Sequence, residues 1–163
     1  MRNALALVGL AAVMTACSPY DDDLNSTQAA LPLTQESVDL SAEEIVAARR
    51  VTYFLSTQAV GQIKAGIAEG GDLRRTQAGA RMLARWAEVL PTMFPQGSNI
   101  DSSKALDTVW SDRDGFEEHA EAYRSAAVAL AEQAKSGDRE AANAAFMAMA
   151  GTCKACHDRY RAE

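Results

Sequence analysis

Apolar and polar residues recur along most of this chain with the period of an α-helix. Val46, Arg49, Tyr53, Ser56, Val60, Ile63 and Ile67 step by 3, 4, 3, 4, 3 and 4, a heptad-like stripe with Ile45 beside it. Ser41-Ala42-Glu43-Glu44 has the form of a capping box, so this helix is predicted to open there and to run to about Glu69, before Gly70-Gly71. A second helix is predicted from Asp72 to about Leu90, with Pro91 at its end. After Ser111-Asp112-Arg113-Asp114, the positions Phe116, Ala120, Tyr123, Ala127, Leu130 and Ala134 step by 4, 3, 4, 3 and 4 on a third helix. Ser136-Gly137-Asp138 closes that helix and caps a fourth, along which Phe146, Met149, Cys153, Cys156, His157 and Tyr160 face inward. The stretch from Pro91 to Asp112, with Pro95, Gly97, Ser98 and Asn99, is a long connection. The pattern predicts an all-α, antiparallel four-helix bundle over residues 41–163, with one long crossover connection between helices two and three.

Some apolar positions exceed what one core needs. Val51, Phe54 and Leu55 lie on a different arc of the first helix from the stripe. In the second helix, the rows Ala80-Leu83-Ala87-Leu90 and Met82-Trp86-Val89-Met93 together cover about 180°, where a surface helix needs a stripe of about 100° or somewhat more. This surplus predicts a homodimer built through helices one and two, unless these side chains cover one another within the monomer.

At 163 residues the chain is expected to hold one domain, and 48% hydrophobic with only 6% aromatic residues suits Ala-rich helices. Met1-Arg2-Asn3 is a basic start, and the apolar run from Ala4 to Met14 is too short to span a bilayer but suits a signal peptide over residues 1–16. Val13-Met14-Thr15-Ala16-Cys17 resembles the lipobox of bacterial lipoproteins, which implies a lipidated Cys17 and a membrane anchor; ordinary cleavage nearby is the alternative. Residues 17–40 then form an acidic tether. Asp21, Asp22, Asp23, Glu36, Asp39, Glu43 and Glu44 fall between Ser18 and Glu44 with no Lys or Arg, so the net charge of −6 resides there and the remainder is nearly neutral. Nothing in that balance suggests nucleic acid.

The chemistry concentrates in Cys153-Lys154-Ala155-Cys156-His157. On a helix, Cys153, Cys156 and His157 stand at i, i+3 and i+4 and project from one face. Two thiols and an imidazole so placed can add to the two vinyl groups of one porphyrin while the His takes the iron, the pattern of a covalently attached haem c. A structural zinc site needs four ligands, and outside the motif the chain offers only Cys17, His119 and carboxylates. A thiol–disulfide motif would sit at the start of a helix in a βαβ context, not in the last turns of a C-terminal helix. Arg49 inside the apolar stripe either snorkels to solvent or meets a haem propionate, which matches a guanidinium well. His119 flanks its stripe and reads as a surface residue, and the Met residues read as core filler.

With these residues in place, the stretch from about Ser41 to Arg161 resembles the cytochrome c′ family. Cys153 to Arg161 is similar to its haem motif and the basic residue one turn beyond. Trp110-Ser111-Asp112 followed by Gly115-Phe116 is similar to the start of its third helix. The resemblance implies Arg49 on a propionate, Tyr53 on the open, distal face of the iron, and Phe116 and Arg161 on the proximal side. Arg50 departs from the family's frequent Gln. No Met occurs between Ser41 and Gly71 and only six residues follow His157, so the iron is expected to be five-coordinate and high-spin. The implied function is a periplasmic protein binding small diatomic gases, nitric oxide or carbon monoxide, carrying single electrons with an unknown redox partner, or both. A low-spin electron carrier without a gas-binding role is the alternative, and a haem-free helical adaptor using its CxxC for metal or redox is a third reading. No acid–base pair or activated nucleophile is evident, so turnover of an organic substrate is not expected.

Overall fold

The computed structural model describes residues 39–162; the leader, Cys17 and the tether up to Val38 lie outside the described residues. Among those described, four long helices form the predicted bundle, and the β-structure is an isolated antiparallel bridge between Ala105 and Arg161. Helix α1 spans Ala42–Ile67. Its capping box is complete, with Glu44 N donating to Ser41 Oγ at 3.2 Å and Ser41 N to Glu44 Oε2 at 2.8 Å. It stops two residues short of Glu69, and the chain reverses through Gly70 at φ 72°, a backbone conformation that favours glycine.

Helix α2, Leu73–Val89, starts under the side-chain cap of Asp72. The α-helix ends at Val89, one residue before the expected Leu90 and just ahead of Pro91. The chain continues as a 3-10 turn over Leu90–Met93, where Pro91 sits in the first two positions and its missing N–H leaves no bond unmade. The crossover also contains an unpredicted short helix, α3, Thr108–Ser111. Helix α4, Arg113–Ser136, ends on Gly137 at φ 84°. Helix α5, Arg139–Tyr160, starts with Ala141 N donating to Asp138 Oδ1 at 2.9 Å.

Around the bundle α1 packs on α2, α2 on α4 and α4 on α5 along their lengths, whereas α1 and α5 touch only sparsely. The α1–α2 crossing is close because Gly79 has no side chain; a Cβ there would stand 2.9 Å from the Ala59 carbonyl oxygen. The main core is built on Ile63, Leu83, Leu130 and Met149 with many alanines between them. A second, smaller cluster of Val109, Phe116 and Tyr160 sits under the crossover. Of the surplus apolar residues, Trp86 is half-buried, but Val51 and Phe54 are each 61% exposed and Leu55, Met82 and Val89 are exposed as well. They do not cover one another within the monomer.

A long-range clamp closes the end of the bundle opposite the crossover. The Arg139 guanidinium, at the start of α5, donates to the carbonyls of Gly66, Ile67, Ala68 and Gly71 at 2.7–2.8 Å. It thereby satisfies the acceptors that the end of α1 leaves over and places a cation at that helix's negative pole. Hydrogen bonds to a charged group contribute about 1.5–3 kcal/mol, so Arg139→Ala is expected to lower stability by about that amount, with Arg139→Lys recovering part of it. Urea unfolding of the three proteins measures this, and equal midpoints would show that the clamp contributes nothing.

Candidate haem-binding site

The last turns of α5 bring Cys153, Cys156 and His157 to one side of the helix, with His157 meeting Tyr53 of α1 across their sparse seam and Cys156 packing on the Phe116–Tyr160 cluster. Both thiols are free and half-buried. Burial pushes the Cys153 thiol up, and burial together with the Cys153 charge pushes Cys156 up to about 11. His157 is shifted the other way. Burial first, then the positive charge of Arg161, lower its pKa against the opposing pull of Asp158. That favours the neutral imidazole, the form able to ligate a metal.

Tyr53 is on the facing side of the seam, on α1. Its ring lies 6.5 Å from that of His157, centroid to centroid, tilted by 51°. The phenol is 48% exposed although it belongs to the helix's apolar stripe. Arg161, which the resemblance puts on the proximal side, has its guanidinium 5.6 Å from the centre of the Tyr53 ring and so reaches toward α1. Phe116 is buried edge-on between Phe94 at 5.2 Å and Tyr160 at 5.3 Å, in the cluster against which Cys156 packs.

Arg49 is buried, not snorkelling. Its Nε donates to the Met93 carbonyl at 2.6 Å, its Nη1 to Ser103 Oγ at 3.4 Å, and its Nη2 to the Ser98 carbonyl at 3.3 Å and to Ser98 Oγ. The guanidinium also lies over the Phe94 ring, 4.1 Å from its centroid. Every one of these acceptors is neutral, and burial lowers the Arg49 pKa. Arg50, the departure from the family pattern, donates to the Ser102 carbonyl and so joins the same grip on the crossover.

Sequence reasoning passed over a polar cluster at the C-terminal end of α5. Asp112 accepts from the Tyr160 hydroxyl at 2.8 Å and from Arg159 Nε at 3.0 Å. Its one sequence signal is the Asp-x-x-Gly spacing to Gly115, which means nothing until α5 is docked. His119 proves engaged, with Nδ1 2.8 Å from the Gly115 carbonyl and its ring edge-on to Tyr160 at 5.3 Å. A carbonyl only accepts, so Nδ1 carries the proton. Among the described residues no group of three or more His, Cys, Asp or Glu side chains is arranged to hold a metal ion.

These residues fit a haem c. A buried cation with only neutral partners matches a propionate, two unpaired thiols share a helical face with an imidazole whose neutral form is favoured, and among the described residues the seam between α1 and α5 is the sparsest between neighbouring long helices. Comparison with known proteins gives the same answer. A family model described as Cytochrome C′ matches residues 44–161. A cytochrome c′ of Cereibacter sphaeroides is 33% identical over 145 residues, covering 85% of this chain and 95% of that protein. One of Rhodospirillum rubrum is 36% identical over 85 residues, 52% of this chain and 58% of the relative. Among solved structures, a cytochrome c′ with ligand-controlled dimer dissociation superposes with a TM-score of 0.70 at 27% identity, covering 76% of this chain and 98% of that one. A nitric oxide complex of a cytochrome c prime variant from Alcaligenes xylosoxidans gives 0.67 at 26%, covering 76% and 97%. Proteins of this family carry one covalently bound haem c per chain. The chain belongs to the cytochrome c′ family.

Proposed function

We propose that this chain is an exported, periplasmic haem protein that binds small diatomic gases, with nitric oxide or carbon monoxide as ligand, at an iron held by a single protein ligand. Cys153 and Cys156 would make the two thioether links, His157 would take the iron, and Arg49 would neutralise a propionate. The haem supplies reversible gas binding and one-electron exchange; the chain's own residues do the rest. Partial burial and the Arg161 charge favour the neutral imidazole, Tyr53 would crowd the face across from it and offer one hydroxyl, and the Phe116 cluster backs Cys156. No residue is assigned to turnover of a substrate.

The observation that carries this reading is the pairing of Tyr53 with His157 across the seam. The facing helix contains no Met, His or Cys, and a neutral phenol is a poor iron ligand. The nitric oxide complex of the Alcaligenes xylosoxidans relative supports the choice of ligand. In denaturing electrophoresis the haem stain is expected to migrate with the chain and to vanish in the Cys153→Ala, Cys156→Ala double variant. The resting ferric spectrum at neutral pH is expected to be high-spin, and Tyr53→Ala to bind nitric oxide faster by about an order of magnitude. A low-spin resting spectrum unchanged in that variant would instead favour the electron carrier.

Two further assignments belong to this reading. The exposed Val51, Phe54, Leu55, Met82 and Val89 on α1 and α2 form the face of a homodimer, an assembly supported by the relative with a dissociable dimer. Sedimentation of protein lacking residues 1–38 should give a dimer at micromolar concentration that Phe54→Glu converts to monomer; a wild-type monomer would rule out a tight dimer. Lipidated Cys17 anchors the domain to a membrane, with the acidic segment as spacer. Native protein should then fractionate with membranes, and Cys17→Ser should release it; recovery of the native protein in the soluble fraction counts against the anchor.

A further inference from the structure

We propose that Asp112 is a positioning residue for His157: by holding Tyr160 and Arg159 it sets the rotation of the last turn of α5 and so the direction of the imidazole. The role rests on the reading of His157 as the iron's ligand.

That last turn is attached to its surroundings in two ways. Along the helix axis it is held by the crossover and by α3. Leu106 N donates to the Tyr160 carbonyl at 3.0 Å, Ala162 N to the Lys104 carbonyl at 2.8 Å, and Thr108 Oγ1 to the Arg159 carbonyl at 2.8 Å. Backbone groups lie close to the helix axis, so bonds to them fix height far better than rotation. The second attachment is off-axis. The Tyr160 hydroxyl, at the far end of its ring, donates to Asp112 Oδ2 at 2.8 Å, and the Arg159 guanidinium reaches the same carboxylate with Nε at 3.0 Å and Nη2 at 2.8 Å. At 3.6 residues per turn, side chains three apart project about 60° from one another. Any rotation of α5 that swings His157 therefore drags the Tyr160 hydroxyl off Asp112, and the ring off Phe116 and His119.

Two features show that the carboxylate is committed to this contact. Asp112 precedes α4 at its N-cap position, where an Asp ordinarily bonds the first free N–H groups, yet its carboxylate is held first by the Tyr160 hydroxyl and by Arg159, and the Gly115 N–H of the first turn contributes least. Gly115, a poor helix former in the first turn of α4, leaves the room required: a Cβ would stand 2.6 Å from Asp112 Oδ2 and 2.8 Å from the Tyr160 hydroxyl. Tyr160 is buried, so loss of its acceptor would leave the hydroxyl without a partner and press the turn to rotate.

The test uses the holoprotein. In Asp112→Ala, amide exchange at Cys156, His157 and Tyr160 is expected to rise about tenfold or more relative to Leu130 in the main core, and the ferric spectrum to pass from one species to a mixture. Tyr160→Phe keeps the ring and its edge-on contacts and deletes the same bond from the other side, so it should reproduce both effects, and it decides the matter if Asp112→Ala does not fold. The double variant should be no worse than the more affected single one, and Asp112→Asn, which keeps an acceptor, should restore the single species in part. Unchanged exchange and spectrum in a folded Tyr160→Phe overturn the proposal, as does a lowered melting temperature with a wild-type spectrum. Absence of covalent haem from the wild-type protein would instead sink the reading of the site on which the inference rests, while the exchange measurement would still report on the clamp.

Discussion

Arg49 carries a positive charge into the interior and finds only neutral acceptors there, the carbonyls of Met93 and Ser98 and the hydroxyls of Ser98 and Ser103. Taking a guanidinium out of water is costly unless its donors are met, and four bonds to one connection meet them. The order of the crossover follows from this, because residues 93–103 must wrap the cation. The next stretch, residues 104–108, is then in place to collect the carbonyls of Arg159 and Tyr160 and the N–H of Ala162. A charge on the second turn of α1 thus determines where the last turn of α5 ends. Among the described residues no carboxylate pairs with that charge, so a haem propionate would find a counter-ion there.

The heptad steps on α1 were legible in the sequence, yet they describe two different environments. At the lower end the stripe is core: Ile63 is fully buried, with Ala59 and Gly66 beside it, against α2. One turn after Arg49 the stripe runs on through Tyr53 and Ser56, but no helix covers it and the phenol is exposed. Periodicity reports which face a residue is on, not what lies against it. An apolar stripe continued where the protein offers no cover is what a flat apolar ligand requires.

What the sequence did not reveal has a common cause. Arg139, Arg50 and Arg113 each donate to backbone carbonyls, and a carbonyl has no residue type to announce it. Asp112 stands at the start of α4, and its main partners, Tyr160 and Arg159, come from the docked end of α5. His119 looked idle for the same reason, since its partners are a carbonyl and the face of a ring contributed by a distant residue. Pro91 marked the end of α2 to within a residue but did not announce the 3-10 turn that follows, which accommodates a proline in its first positions as readily as an α-helix does. The capping box and the Cys153-to-His157 motif were readable because their chemistry is local, spanning four and five residues.

The asymmetry of the bundle follows from where its small residues fall. Gly79 and the alanines of α2 and α4 let three successive helix pairs approach closely and fill the main core without large side chains. At the α1–α5 seam that logic is absent: Tyr53, Arg161 and His157 are large groups that hold the helices apart, and the second cluster, around Phe116 and Tyr160, packs beneath the crossover. A reversibly bound group in such a seam would leave it open for part of the time, whereas two covalent links make its occupation intramolecular and remove dissociation from the balance. Attachment through two adjacent turns of α5 therefore does more than retain the cofactor. It lets a small, alanine-rich bundle count the porphyrin as a permanent part of its interior, filling a seam that its own side chains leave open.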